Sequence, residues 1–381
     1  MQRDLKFALV GAGFIGRSHA LAIHAVNRTF PSVPIGAKAH ILAELDEGRA
    51  RRAAAELGFD RWTTSWEEAV DEADAVVIAV PSFMHRAIAL RTLEQGKPLL
   101  CEKPVGLAVG EAAELHAAAV RTGAPNAVGF TYVRQPVVQH ARQIVRSGAL
   151  GRVLHLRGRH AEDYLADPAV PHSWRLNAAT AGRYGALGDL GYHIIAMLRM
   201  ICGPVAGLSG VTRTVHATRP DPASGGQPRV VDNEDYAAAV LRFANGAVGT
   251  VEASRIAAGR KMDIAFEITC ERGTIAFDGE RMNELEVFEI GQNQAEQGFR
   301  RILANPAHPF YAGFLPAPGH QLGFNDLKTI ELAMFLKAIA EGKSAEPDLS
   351  DALRISRICE ALLDSAESGR WIENPEDYAG K

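Results

Sequence analysis

Lys6-Phe7-Ala8-Leu9-Val10-Gly11-Ala12-Gly13-Phe14-Ile15-Gly16 decides how the rest of this chain is read. The run from Lys6 to Val10 suits a short buried strand, a glycine-rich turn follows without a gap, and Arg17 to Val26 continues with helical periodicity. The turn carries the spacing G-x-G-x-x-G between a strand and a helix, the context in which that motif holds a dinucleotide. Gly11 permits the tight turn, Gly13 lets the backbone approach a pyrophosphate, and Gly16 lets helix pack closely on strand. Phe14 and Ile15 lead into the helix, whose N-terminal N–H groups are offered to the phosphates.

A dinucleotide fold of this kind ends its second strand in an acid that binds the adenosine ribose, and His40-Ile41-Leu42-Ala43-Glu44 does so. Glu44 is the candidate, with Asp46 in reserve. Glu44 lies later than the usual interval, and Asn27 to Ala39, with Pro31, Pro34 and Gly36, reads as an inserted loop. The acid favours NAD over NADP, because a 2′-phosphate would be repelled; Arg49, Arg51 and Arg52 leave NADP open. The α/β alternation continues through apolar strands at Ala75–Val80 and Lys97–Cys101, and function should gather at their C-terminal ends. The first runs into Pro81-Ser82-Phe83-Met84-His85, the second into Glu102-Lys103-Pro104. Pro104 keeps Lys103 extended and out of any helix, so its ammonium can be directed across the cleft.

Far along the chain, Asp189 and His193 stand four residues apart, just after the glycine-rich stretch from Gly182 to Gly188. If Leu187 to Cys202 is a helix, both side chains share a face near its N-terminus. An imidazole with an ordinary pKa of about 6.5 can take an alcohol proton near neutral pH, and a neighbouring carboxylate can accept from an adjacent hydroxyl.

Taken in order, Gly11 to Gly16, Pro81 to His85, Glu102-Lys103-Pro104, Val128-Gly129-Phe130-Thr131-Tyr132 and Gly185 to His193 make the chain resemble the Gfo/Idh/MocA oxidoreductases over almost its whole length. His172-Ser173-Trp174-Arg175-Leu176 and the segment from Gly319 to Phe335 resemble the branch acting on inositols, levoglucosan and related unphosphorylated sugars. The resemblance implies that Lys103, Asp189 and His193 form the catalytic constellation, with His193 the acid/base, and that Pro81, Ser82, His85, Glu102, Lys103, Thr131, Trp174 and Arg175 join Glu44 and the glycine turn around the cofactor. Ser82 and Thr131 stand where family members usually or often have Asn. The resemblance also implies an often cis bond between Lys103 and Pro104.

The 381 residues, 47% of them hydrophobic, suffice for an ample core and fit two domains better than one. The expected class is α/β: an N-terminal Rossmann doubly wound parallel sheet over 1–128, then a C-terminal α+β domain over 129–381 with a large open, mostly antiparallel sheet. The C-terminal helices Lys328–Ala340 and Leu349–Ser365 could pack back on the first domain. A net charge of −4 leaves no basic footprint for nucleic acid, and neither a transmembrane run nor a basic amphipathic stretch argues for a membrane. The first strand begins within a few residues of the N-terminus, leaving no room for a signal peptide, so cytoplasm is the expected compartment. Cys101, Cys202, Cys270 and Cys359 lack metal-ligand spacing and suit reduced core residues; neither a metal nor a disulfide is expected.

Past Phe130 the alternation stops. Val137–Ser147 reads as a helix, then strands are expected at 153–160, 208–217, 236–243, 247–253, 263–270, 274–277 and 285–290, with hairpin turns at Asn245-Gly246 and Arg272-Gly273. The stretch from Arg219 to Pro228 reads as a mobile surface loop. One sheet face should be covered by helices; in the resembled family the open face commonly forms subunit contacts, which implies a homodimer or homotetramer.

The expected chemistry is oxidation of a secondary alcohol of an unphosphorylated sugar, anhydrosugar or inositol, with His193 taking the proton, Lys103 stabilising alkoxide character and Asp189 holding the geometry or a vicinal hydroxyl. Tyr132, His160, Asp163, Trp174, Arg175, Asn177, Asn325 and Asp326 supply the hydrogen-bonding groups and aromatic surface that a polyhydroxylated ring needs. The same fold also supports glycosidases that use transient oxidation and non-catalytic dinucleotide or sugar sensors.

Overall fold

A computed structural model describes residues 3–314 and 317–380. It divides into two compact units, one of residues 1–134 and 322–353, the other of 135–321 and 354–381. The division is therefore discontinuous in sequence.

The first unit contains a six-stranded sheet of β1 (Arg3–Val10), β2 (Ile35–Ala43), β3 (Arg61–Thr63), β4 (Ala75–Ile78), β5 (Leu99–Cys101) and β6 (Asn126–Val128). All pairings are parallel and the order is β3-β2-β1-β4-β5-β6, so the chain reverses direction across the sheet between β1 and β4. That reversal opens a crevice at the carboxyl ends of the strands, where Gly11, Pro81 and Glu102 follow β1, β4 and β5. The strands are nearly continuous apolar runs because both faces are covered: β4 is wholly buried, and Phe7, Leu9, Leu42 and Val77 share a core with Leu332, Phe335 and Leu336 of the late helix Phe324–Ala340.

The expected insertion at 27–39 is absent. The first helix runs from Phe14 to Thr29 and β2 starts at Ile35, so Asn27 ends a long helix and Gly36 to Ala39 already pair with β1. A longer helix, not a loop, delays Glu44. Asn27 is bonded into the turn, its Oδ1 accepting from Ala37 N at 2.8 Å and its Nδ2 donating to Ala37 O at 3.0 Å.

The second unit is built on a nine-stranded sheet of β7 (Val153–Ala161), β8 (Val205–Arg213), β11 (Tyr236–Phe243), β12 (Val248–Ser254), β13 (Asp263–Cys270), β14 (Gly273–Asp278), β15 (Glu284–Glu289), β16 (Arg300–Leu303) and β17 (Ile372–Glu373). The intervening β9 (Thr218–Asp221) and β10 (Gln227–Val230) form a separate two-stranded hairpin, so the stretch expected as a mobile loop is paired backbone, with only its tip at Pro222–Gly226 outside the ladder. Among the described residues of the large sheet only β7 and β12 run parallel. Register places Leu208, Leu241, Gly249, Leu156, Ile268, Ile275 and Val287 in one row across seven strands, all buried. The alternate row, Ser209, Val240, Thr250, Arg157, Glu267, Ala276 and Glu286, is polar or small apart from Val240, the period-two pattern of a sheet covered on one face.

The helix Tyr192–Cys202 lies on the covered face. Gly158 of β7 makes that approach possible: a Cβ there would come within 2.7 Å of Leu198 Cδ1 and 3.0 Å of Ile194 Cγ1. The four cysteines are all buried. Among the described residues no helix is long and apolar enough to cross a membrane.

Candidate functional site

In the first unit the glycine turn is shaped for a ligand at one position and for packing at the other two. A Cβ on Gly11 would meet Ala79 O at 2.5 Å, and one on Gly16 would meet Gly11 O at 2.0 Å, so both are held by their own fold. A Cβ on Gly13 would meet nothing within 4 Å, although Gly13 sits at the N-terminus of the Phe14–Thr29 helix with its backbone open. Close approach by something outside the chain is what that glycine leaves room for. Glu44 lies beside the turn, accepting from Ala12 N at 3.2 Å and from Leu45 N at 3.1 Å. These residues fit a dinucleotide. Asp46, the reserve, caps the next helix by accepting from Arg49 N at 2.7 Å. Arg49 reaches Glu44 at 3.6 Å, while Arg51 and Arg52 are exposed on that helix.

The turn after β4 carries Pro81 and a buried Ser82, and His85 starts the next helix with its ring enclosed. The His85 ring nitrogens lie 2.8 Å from the carbonyls of Pro104 and Val80. Burial pushes its pKa down while the two carbonyls oppose this. His85 therefore ties the Lys103-Pro104 turn, whose peptide bond is cis, to the end of β4. Lys103 itself is partly exposed.

Glu102 lies in a buried charge network that the sequence pattern did not reveal. Its Oε1 accepts from Lys328 Nζ and lies 2.8 Å from His19 Nε2, and Lys328 also donates to Glu331 Oε1 at 2.9 Å. Thr131 Oγ1 donates to Glu331 Oε2 at 3.4 Å. Burial alone would raise the Glu102 pKa, but the Lys328 ammonium and the His19 hydrogen bond hold it well below the usual carboxylate range. His19, Glu102 and Glu331 could by spacing ligate a cation; the Lys328 ammonium supplies that positive charge. Thus Glu102 and Thr131 belong to a structural knot around the strand end. Lys328 and Glu331 stand one turn apart in a helix that also carries Asn325, Asp326, Thr329 and Lys337, so their spacing alone does not single them out.

Tyr132 joins an aromatic row, 6.0 Å from Phe324, which in turn lies 6.0 Å from Phe14. Asn325 is exposed beside it, and Asp326 accepts from Gly323 N at 2.8 Å, fixing the start of the late helix.

In the second unit Asp189 and His193 do not share one regular helix. Leu187–Gly191 is a single π-turn, with Tyr192 N reaching back to Leu187 O, and the α-helix begins only at Tyr192. The extra residue changes the angle between the two side chains from that of an ordinary helical pair, and such turns recur at functional sites. Tyr164 donates its hydroxyl to Asp189 Oδ2 at 2.6 Å, and Arg175 Nε lies 3.6 Å from the same oxygen with its guanidinium 4.6 Å above the Trp174 ring. Burial and then the Asp189 charge raise the Tyr164 pKa well above its ordinary value, so it remains a donor. His193 is nearly buried, its ring 5.7 Å from that of His160. His160 is set between Leu190 O at 3.1 Å and Glu162 Oε1 at 3.2 Å.

Asp163 is engaged elsewhere, accepting from Lys261 Nζ at 2.7 Å and Gly259 N at 3.0 Å. Asn177 caps the short helix Ala178–Ala181. Asp189, His193, His160, Trp174 and Arg175 are thus assembled around one stretch of the second unit together with Tyr164, which the sequence reading passed over for its neighbour Asp163. An anionic carboxylate held by a phenol and a guanidinium, in the turn that leads to an imidazole, can accept a hydroxyl hydrogen bond and take a proton.

Comparison with known proteins assigns both halves of the chain to one family. Residues 5–130 match the model of the oxidoreductase family with an NAD-binding Rossmann fold, and residues 138–276 match the GFO/IDH/MocA C-terminal domain. The chain is 36% identical over 387 residues to levoglucosan dehydrogenase of Pseudarthrobacter phenanthrenivorans, covering 98% of this chain and 99% of that protein. It is 26% identical to a scyllo-inositol 2-dehydrogenase (NAD+) of Bacillus subtilis over 90% of this chain and 89% of the relative. A solved levoglucosan dehydrogenase in complex with NADH and levoglucosan superposes with a TM-score of 0.94 at 36% identity, over 98% of this chain and 100% of the other. Matched in both halves and along nearly its full length, the chain belongs to the Gfo/Idh/MocA family of NAD-binding oxidoreductases.

Proposed function

We propose that this protein is an NAD-dependent dehydrogenase that oxidises a secondary hydroxyl of an unphosphorylated sugar, anhydrosugar or inositol. The observation that carries the reading is the Asp189 carboxylate, gripped by Tyr164 and Arg175 in the turn leading to His193. Likeness to the levoglucosan and inositol dehydrogenases supports the substrate class. NAD, held by the glycine turn and Glu44, supplies the hydride acceptor.

His193 removes the hydroxyl proton in oxidation and returns it in reduction. Lys103 donates to the reacting oxygen and stabilises its alkoxide character, and Asp189 accepts from a vicinal hydroxyl. Tyr132, Trp174 and Asn325 bind the ring around the reacting carbon. General acid/base assistance is worth about 100- to 10,000-fold, so His193→Ala should lose turnover of that order while binding NADH as before.

The test incubates the purified protein with NAD and a panel of inositols, aldoses, anhydrosugars and glycosides while NADH absorbance is followed, with His193→Ala as control. NADH formed by the wild type and lost in the variant supports the dehydrogenase. Glycoside cleavage without net NADH would replace it with a glycosidase, and NADH binding with neither reaction would leave a sensor.

We also propose that the open face of the large sheet, around the exposed Val211, Val240 and Val248, is a contact between copies of the chain in a dimer or tetramer.

A further inference from the structure

The buried run Asn233-Glu234-Asp235 is not accounted for by the chemistry above, yet it is bonded to both segments that build the second unit's site. Glu234 accepts from Gly185 N through Oε2 and from Leu187 N through Oε1, each at 2.8 Å, and its own carbonyl accepts from Ala186 N at 2.9 Å. Three consecutive amides are therefore held by one residue. Their far sides connect directly to the proposed working pair: Gly185 O accepts from Asp189 N at 3.0 Å, and Leu187 O accepts from Tyr192 N, which precedes His193. Gly185 has no room for a side chain, since a Cβ would stand 2.0 Å from Glu234 O.

The flanking residues brace the clamp. Asn233 Nδ2 donates to Arg175 O at 2.9 Å, Arg255 donates to Asn233 Oδ1 and Asp235 Oδ1 at 2.9 Å each, and Asn233, Glu234, Asp235 and Arg255 are all buried. Burial raises the Glu234 pKa and the Leu187 and Gly185 amides pull it back, leaving it at about 6; both carboxylate oxygens accept from those amides, so it is the ionised form that the clamp favours. An ionised carboxylate enclosed in this way costs stability. A Gln here has a single oxygen and would turn an NH2 towards an N–H.

We propose that Glu234 is a positioning residue for the reaction: its carboxylate clamps the Gly185–Leu187 backbone and thereby sets the π-turn that aims Asp189 and His193. The inference rests on the reading of those two residues given above. It predicts that geometry at the reacting hydroxyl is lost when the clamp is loosened, at a cost of about 10- to 100-fold in turnover.

The experiment compares the full-length wild type with Glu234→Gln and Glu234→Asp. The readouts are kcat and KM for the polyol that the wild type oxidises, NADH affinity by fluorescence titration, thermal unfolding, and hydrogen exchange of the 182–193 amides. The expected result is a fall in kcat of about 10- to 100-fold in Glu234→Gln, unchanged NADH affinity, and faster exchange confined to 182–193. Glu234→Asp keeps the charge with a shorter reach and should fall between the two; it serves alone if Gln prevents folding. Turnover within twofold of wild type, or unchanged exchange over 182–193, would overturn the proposal. So would a parallel loss of kcat, NADH affinity and thermal stability, which is the mark of a general structural role. If the wild type oxidises no compound, the dehydrogenase reading fails by that result, while the exchange data still decide whether Glu234 clamps the turn.

Discussion

Gly13 and Gly16 stand three residues apart in one turn and answer different questions. At Gly16 a methyl group would collide with the Gly11 carbonyl, so Gly16→Ala should lower the thermal midpoint by forcing strand and helix apart. At Gly13 the same methyl enters open space, so Gly13→Ala should fold with an unchanged midpoint yet bind NADH at least about tenfold more weakly, the methyl filling room the pyrophosphate needs. Calorimetric unfolding beside an NADH titration checks both. Equal NADH affinity in Gly13→Ala would mean that the turn does not meet the cofactor through Gly13. The two glycines are indistinguishable as letters, and their neighbours in space separate them.

Among elements, the late helix Phe324–Ala340 places a positive charge at the heart of the first unit. Lys328 is buried between Glu102 and Glu331, and Lys328→Met leaves both carboxylates enclosed without their cation, a change that typically costs about 3–5 kcal/mol. Urea unfolding at neutral pH measures it. The pH dependence gives a second check with a definite sign. The Glu102 pKa is depressed in the folded protein, so its contribution is present above the ordinary carboxylate value of 4.5 and is lost as pH falls towards the folded one. Without Lys328 the Glu102 pKa loses its largest lowering influence and keeps only the His19 contacts against burial, so the variant should show a smaller acid-side loss. A variant as stable as wild type, with the same acid limb, would show the network to be dispensable.

At the scale of the whole molecule, the open face of the nine-stranded sheet joins exposed valines to paired charges such as Arg157 with Glu267 at 2.9 Å and Arg159 with Asp263 at 2.7 Å. If copies of the chain meet there, Val240→Arg should convert a dimer or tetramer to smaller species in sedimentation velocity without altering NADH affinity; a wild-type monomer would remove the proposal. The doubly wound sheet was legible from sequence because a buried parallel strand must be an apolar run, and a glycine turn followed by a helix has few other uses. Alternation of apolar and polar residues likewise marked most strands of the second sheet to within a few positions. Three-dimensional packing decided what pattern could not express. A continuous helix and strand replaced the loop expected at 27–39, and a paired hairpin replaced the one expected at 219–228, because proline and glycine mark turns without setting their length. Tyr164, Glu234 and Arg255 carry no local signature, and neither does the pairing of Lys328 with Glu102, since the residues joined in these contacts lie from 20 to over 200 positions apart. The sequence by itself determined the family and the glycine turn of the Rossmann half, since each depends on residues close together in the chain; only tertiary structure assigned Glu102 to a buried network and wound the π-turn under Asp189, since those outcomes depend on which distant charges and amides burial brings within hydrogen-bond reach.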